Sequence, residues 1–526
     1  MSTTSTEAAR AEPRRGNWFD RKNTIAPMGY NRWLIPPAAL AVHLSIGQAY
    51  ATSVYKTSLV EHFETSQTAI GVIFSIAIVM LGLSAAVMGT WVDRNGPRKA
   101  MFVSMLCWVS GFAIGSLGIA TKQLWLVYFG YGFIGGIGLG IGYISPVSTL
   151  IKWFPDRPGL ATGLAIMGFG GGAMVASPIS RQLMSLYDPS YDPGDSASVA
   201  SGEALTLLFL TLGGIYLIMM TIGVINVRIP HPDWKPEGWT PPKRDEKSMI
   251  TDKSVSAKNA IRTPQFWFLW IVLFTNVTAG IGILEQASPM IQDFFREGGV
   301  SAIGVSAAAG FVGLLSLFNM AGRFVWSSTS DRIGRKPIYT IYLGVGMLMF
   351  AGLALFGHTS IALFVALAAV ALSFYGGGFA TIPAYLRDLF GTYQVGAIHG
   401  RLLTAWSAAG VAGPLIINGF LDAQGKPGEL DAAAYQPALF TMIGVLAIGF
   451  IANLLVRRVD AKHHEPEEVV REQLAALNGV TEERGDGASQ ALPGMGRLVL
   501  SWLLVGGILA YGVIMTAITA ARLFTG

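Results

Sequence analysis

The chain has 526 residues, 52% of them hydrophobic and only 13% charged, with a formal net charge of +5. Soluble domains carry about 25% charged residues, so an ordinary soluble protein is excluded, and so small a charge gives no reason to expect a nucleic-acid partner. The lone cysteine, Cys107, excludes an intramolecular disulfide framework and any cysteine-cluster metal site.

Apolar, nearly charge-free segments recur along the chain, each with the ~20 residues needed to cross a ~30 Å hydrocarbon core. The ~10-residue alternating segments of a membrane β-barrel do not occur. The expected fold class is an all-α polytopic membrane protein, and the 64 glycines suit close helix–helix packing in lipid. Residues 1–32 are polar and basic without a cleavable leader pattern and read as a tail. Hydropathy then places helices at 33–55, 69–92, 100–120, 124–150, 159–184 and 204–227, forming a six-helix bundle over 33–228. A linker over 229–263 follows, then helices at 264–290, 305–328, 337–357, 361–386, 396–421 and 437–456, forming a second bundle over 264–457. A charged segment over 458–496 precedes an extra membrane helix within 497–526, centred on the apolar run 498–523.

Orientation follows from the basic residues. Arg14, Arg15, Arg21, Lys22 and Arg32 precede the first helix, and Arg94, Arg98 and Lys99 follow the second. The linker carries Lys235, Lys243, Arg244, Lys247, Lys253, Lys258 and Arg262, whereas the loop after the fifth helix is acidic, with Asp188, Asp192, Asp195 and Glu203. The positive-inside bias puts the N-terminus and the linker in the cytoplasm of a protein of the plasma or inner membrane. The charged, proline-rich linker and the segment 458–496 are then cytoplasmic as well, and the linker reads as a flexible tether.

The halves repeat. Gly89, Asp93, Arg94, Gly96, Arg98 and Lys99 after the second helix are answered by Ser327, Asp331, Arg332, Gly334, Arg335 and Lys336 after the eighth. Pro146, Phe154 and Pro178 are answered by Pro383, Phe390 and Pro414. Parallel repeats joined by a linker are the architecture of alternating-access carriers, with the substrate between the halves near the midplane.

Within the eighth helix lie Asn319 and, one turn on, Arg323. A guanidinium in a membrane helix costs roughly 2.5–3.5 kcal/mol on insertion scales. Arg323 is therefore read as the ligand of a carried anion, because its planar, permanently charged fork matches a carboxylate as lysine cannot. The alternatives are snorkelling to the interface and a structural ion pair; Asp331, eight residues on and roughly 12 Å along a helix, is too far for a direct pair. Asn319 shares the face of Arg323 and can bond to it or to substrate. Glu285 in the seventh helix is the clearest acidic group in an apolar span and is a proton-carrier candidate, with a gate-bonding role as the alternative. His43 and His399 are further proton candidates. Gly136, Gly138 and Gly140 imitate a dinucleotide loop but follow no strand, so they read as a face for helix crossing. No P-loop, nucleophile elbow or metal-ligand spacing appears, so no enzymatic activity, cofactor or metal is expected.

The pattern Gly-x-x-x-Asp-Arg-x-Gly followed by Arg and Lys, intact over residues 89–99 and repeated with Ser327 in place of the first glycine, resembles the signature of the major facilitator superfamily. Residues 136–173, 375–400 and 319–323 are similar to the oxalate/formate antiporter family, relatives of the monocarboxylate transporters. The resemblance covers roughly residues 30–460 and leaves out the thirteenth helix. It implies two six-helix bundles related by a pseudo-two-fold axis, with Asp93, Arg94, Arg98, Asp331, Arg332 and Arg335 latching neighbouring helices on the inner face. It also implies a small carboxylate bound by the arginine of the eighth helix in an aromatic cage. Tyr50, Tyr143, Tyr375 and Phe379 lie on helices that line the cavity in this superfamily, and Trp406 lies on the eleventh.

Two departures bear on the substrate. Asn319 stands where monocarboxylate transporters often have an aspartate, so this position cannot carry a proton. Thr404-Ala405-Trp406 stands where oxalate carriers have Thr-Ala-Lys, which leaves one fixed cation and favours a monocarboxylate. Lys56, the other possible second cation, reads as an interfacial lysine. The expectation is a monomeric secondary transporter of monocarboxylates (formate, lactate or pyruvate class), an antiporter or a proton symporter, with a counter-anion or a proton as the second partner. The alternatives are an oxalate/formate-type dicarboxylate exchanger and a membrane carboxylate sensor that does not transport.

Overall fold

The computed structural model describes residues 17–192, 198–240, 249–297, 300–425, 430–478 and 494–525. Arg14, Arg15, Asp195, Lys243, Arg244 and Lys247 lie outside them. The first membrane segment is not the continuous helix expected over 33–55. It is helical as α1 (Ile35–Gly47), tightens to a 3-10 winding over Gln48–Tyr55 and resumes as a short helix, Lys56–Phe63. At the break, Gly47 lies so close to the Phe169 carbonyl that a Cβ would come within 2.4 Å of its oxygen. Gln48 holds the irregular turn, donating to the Tyr55 hydroxyl at 2.9 Å and accepting from Tyr131 at 2.9 Å.

The first half continues with α2 (Gln67–Asn95), α3 (Pro97–Ala120), α4 (Leu124–Trp153), α5 (Pro158–Tyr187) and α6 (Gly202–Asn226). The second comprises α7 (Pro264–Phe294), α8 (Val305–Ile333), α9 (Arg335–Phe356), α10 (Ile361–Phe390), α11 (Val395–Gln424) and α12 (Ala432–Leu455). A surface helix, Glu467–Asn478, and α13 (Met495–Thr525) follow. Among the described residues the only paired strands form a two-residue ladder, Arg296–Glu297 with Val300–Ser301. The turns from α2 to α3 and from α8 to α9 pass through Gly96 (φ 84°) and Gly334 (φ 91°). Side chains rarely adopt that region, which explains why both copies of the motif keep this glycine.

The halves meet through α2 against α11 and α5 against α8, from the middle of the bundle to the side that carries the linker. The α13 helix lies across the second of these seams. It joins the first half through Trp502, which donates to the Trp33 carbonyl at 3.0 Å, and Tyr511, which accepts from Gln182 at 3.1 Å. It joins the second half where Gly310 and Gly313 of α8 meet Thr519 and Thr516. A Cβ at Gly310 would come 2.4 Å from the Thr519 carbonyl oxygen, and overpacking of this kind typically costs about 1–3 kcal/mol. Gly310→Val is expected to lower the thermal midpoint of the purified protein, and the loss should vanish in a chain truncated before α13. An equal loss in both would sink this packing assignment.

Candidate functional site

The centre of the site is Arg323 of α8, fully buried at 0% exposure. Its Nε donates to Asn319 Oδ1 at 3.0 Å, the one-turn pairing expected from the sequence. Its Nη1 crosses between the halves to the Ile166 carbonyl of α5 at 3.3 Å, and its Nη2 has no hydrogen-bond partner. The guanidinium lies 5.0 Å from the Phe379 ring and 5.9 Å from the Phe169 ring, within cation–π range of both. Gly170 makes this approach possible, since a Cβ there would sit 2.7 Å from Arg323 Nε. Gly170→Leu is expected to displace the guanidinium and abolish anion binding, as measured by titration calorimetry, while expression in the membrane persists.

Around the arginine the aromatic residues close into one cage. Tyr143 stacks on His43 at 5.3 Å and meets Phe169, Phe379 and His399 at 5.3, 5.5 and 5.6 Å. Trp406 packs against Phe379 at 5.6 Å and Phe169 at 6.0 Å, and Tyr50 against Phe169 at 5.3 Å. Tyr375 is buried against Gly280 of α7, and the hydroxyls of Tyr50 and Tyr375 approach without meeting hydrogen-bond geometry. All seven residues named for substrate contact are thus in or beside one cluster, together with His43 and His399. Sequence reading missed Phe169, the ring on which the cage is built. It stands among Gly168, Gly170, Gly171 and Gly172, so an aromatic set in a glycine run was the available signal.

Several polar atoms of this cage share one property. Arg323 Nη2, Trp406 Nε1 and the hydroxyls of Tyr50, Tyr143 and Tyr375 are buried and have no hydrogen-bond partner. The first two can only donate, and an ionised carboxylate can only accept, with about four lone-pair sites. Unmet buried donors cost about 1–3 kcal/mol each, and an acceptor carrying negative charge would meet them.

Other candidates lie elsewhere. Glu285 is exposed, about 7.5 Å along α7 from Gly280, near Lys56 and Asn418 at the side opposite the linker. That position separates it from the buried cage.

On the linker side the duplicated motif divides by residue. Asp331 accepts the N–H groups of Gly159 and Leu160, both at 2.8 Å, and Asp93 accepts that of Ala397 at 2.9 Å. The spacing from Asp93 to Asp331 is also that from Gly159 to Ala397, so the two contacts are pseudo-symmetric. Ser327 breaks the repeat at Gly89, and the partners compensate: Gly89 packs on Ala397, Ser327 on Gly159. Arg335 joins Asp331 at 2.7 Å and Asp388 at 2.9 Å. Arg98 does not bridge helices of the bundle. It donates to the carbonyls of Trp18 and Asn23 at 2.8 and 3.2 Å and stacks on the Trp18 ring, pinning the N-terminal segment. Arg94 and Arg332 are exposed on this face.

The sequence matches the Major Facilitator Superfamily profile over residues 38–414 and 316–525. It is 26% identical to the oxalate:formate antiporter of Oxalobacter formigenes over 387 residues, 73% of this chain and 83% of that protein. It is 24% identical to an uncharacterised MFS-type transporter, YhjX, of Escherichia coli (strain K12), over 72% of this chain and 85% of that one. Apicoplast pyruvate carrier 1 of Toxoplasma gondii is 26% identical over 55% of this chain and 58% of its own. Among solved structures, the fold resembles the transporter FucP in its outward conformation (TM-score 0.60, 13% identity, 82% of this chain and 100% of that chain). It also resembles a bacterial homologue of ferroportin in an outward-facing state (TM-score 0.56, 12% identity, 80% and 98%). The helical bundle with its repeated motif, and the profile that spans it, show that the chain belongs to the major facilitator superfamily.

Proposed function

We propose that this transporter carries small monocarboxylates through the plasma or inner membrane by alternating access, with its N-terminus and linker in the cytoplasm. One observation carries the reading: within the described cage one permanently charged cation, Arg323, stands buried among unpartnered donors and aromatic rings. One fixed charge balances one carboxylate. The remaining donors suit its second oxygen or a neighbouring hydroxyl or keto group, and the rings keep water out. Two relatives are named for small carboxylates, one as an oxalate:formate antiporter and one as a pyruvate carrier, and formate and pyruvate are monocarboxylates.

The test is reconstitution in liposomes and counterflow of labelled formate, lactate, pyruvate and oxalate. Uptake of a monocarboxylate in preference to oxalate supports the reading. Preference for oxalate would favour a dicarboxylate exchanger, and binding without uptake a sensor. Trp406 offers a sharper check, because a lysine there would add the second cation that a dicarboxylate needs. Trp406→Lys is expected to shift preference toward oxalate by about tenfold or more, one charged hydrogen bond being worth about 1.5–3 kcal/mol and each 1.4 kcal/mol a factor of ten. Unchanged preference would place Trp406 outside the recognition set.

A further inference from the structure

His43 of α1 is fully buried, and both of its ring nitrogens face backbone carbonyl oxygens: Nδ1 that of Ala165 at 2.5 Å, Nε2 that of Tyr143 at 3.1 Å. A neutral imidazole has one N–H and one lone pair, whereas imidazolium has two N–H groups. Against two acceptors, only the protonated ring satisfies both contacts; the neutral ring must point a lone pair at an oxygen. The site is therefore shaped for a proton.

Its place beside Arg323 gives that proton a role. Ala165 and Ile166 are consecutive on α5, and their carbonyls hold His43 and Arg323 respectively. Phe169, one turn on, touches both: its ring lies 6.5 Å from the imidazole and 5.9 Å from the guanidinium. The groups that face His43 are Tyr143 from α4, Arg323 from α8 and His399 from α11, and among those interactions there is no carboxylate. Two adjacent cations in a low-dielectric cage repel strongly. A carboxylate bound to Arg323 would reverse the sign of that neighbour's effect.

We infer that His43 binds the proton that accompanies the carboxylate, and that this chain is a proton–anion symporter in which Ala165 and Ile166 set the two sites side by side. The inference rests on the reading of the Arg323 cage as a carboxylate site. The proton comes from solvent on the loading side, forms the second N–H of His43, and leaves with the anion; no bond of the substrate changes. Because each ligand lowers the cost of the other, the coupling is reciprocal. Antiport of one carboxylate for another would need no such residue.

The experiment adds sodium formate, lactate or pyruvate to the intact purified protein in weakly buffered detergent and reads binding and pH together. Wild type is expected to take up about one proton per anion bound, with affinity improving by up to tenfold for each unit of falling pH, as linkage requires. His43→Gln can hydrogen-bond one carbonyl but cannot charge. It should take up no proton, show an anion affinity that no longer improves as the pH falls, and lose accumulation driven by a pH gradient. Wild type binding these anions without proton uptake overturns the inference and leaves the carboxylate reading intact, and that measurement holds even if the variant does not fold. Undiminished proton uptake by His43→Gln also overturns it. Failure of all three anions to bind would instead sink the carboxylate reading on which it rests.

Discussion

Replacing Arg323 by lysine is expected to weaken carboxylate binding by about 10–100-fold and to abolish counterflow at substrate concentrations that saturate the wild type. The guanidinium makes four contacts at once, Nε to Asn319, Nη1 to Ile166 and its plane near Phe379 and Phe169, and leaves Nη2 free for a ligand. An ammonium is a compact point charge with three donors and no plane. If it reached the ligand it would abandon Asn319 Oδ1 and the Ile166 carbonyl, leaving buried acceptors unmet. If it kept them, a single N–H would remain for the anion, without the planar fork that matches a carboxylate. Losing one charged hydrogen bond costs about 1.5–3 kcal/mol, which sets the range through about 1.4 kcal/mol per factor of ten. Asn319→Ala should have a smaller effect, since it frees Nε without removing charge. Titration calorimetry with formate, lactate and pyruvate on both variants checks the order. Normal transport by Arg323→Lys would show that the anion binds elsewhere.

Much of this site can be read from the sequence because membrane energetics make buried charge conspicuous. A guanidinium in an apolar helix must have a reason, and Asn319 one turn before it suggested what holds it in place. The duplicated motif gave the symmetry of the halves, and Asp93 and Asp331 do reach the facing helices. What could not be read depends on where helices touch. Phe169 looks like any core ring until α5 is packed against α1 and α8. Arg98 and Arg335 belong to the two copies of one motif, yet Arg98 holds the N-terminal segment while Arg335 joins Asp331 and Asp388. Side-chain reach and local neighbours decide that, not spacing. The broken first helix was hidden for a similar reason: hydropathy is blind to 3-10 winding, and the break depends on Gly47 meeting the Phe169 backbone. His43 could be seen as a buried histidine, but the carbonyls facing its two nitrogens come from α4 and α5, which no one-dimensional pattern joins to α1.

The second large effect is expected at the linker-side seam, where each half caps a helix of the other. The first N–H groups of a helix have no partner within it, and a side chain just before the first turn usually supplies one. Neither helix here has that cap: Arg157 before α5 and Gln394 before α11 make no such bond. Asp331 and Asp93 do the work from across the seam, placing a carboxylate at the positive end of the helix dipole. These bonds need the halves to stay together on the linker side, so if the halves part there in the proposed cycle, the bonds stabilise the closed state and not the open one. Asp331→Asn removes the charge and turns one acceptor into a donor facing an N–H. Of its three charged hydrogen bonds the two to Gly159 and Leu160 cross the seam, while that to Arg335 stays within one half, so a shift of about 1.5–3 kcal/mol toward linker-side opening is expected, roughly tenfold or more in population. Asp93→Asn, with one bond at stake, should shift it less. Spin labels at the exposed positions Arg94 and Arg332 report the separation of the halves by pulsed dipolar spectroscopy. The longer-distance population should grow from wild type to Asp93→Asn to Asp331→Asn. A distribution unchanged in both variants would mean that the seam is held by packing of Gly89 on Ala397 and Ser327 on Gly159, with the aspartates incidental.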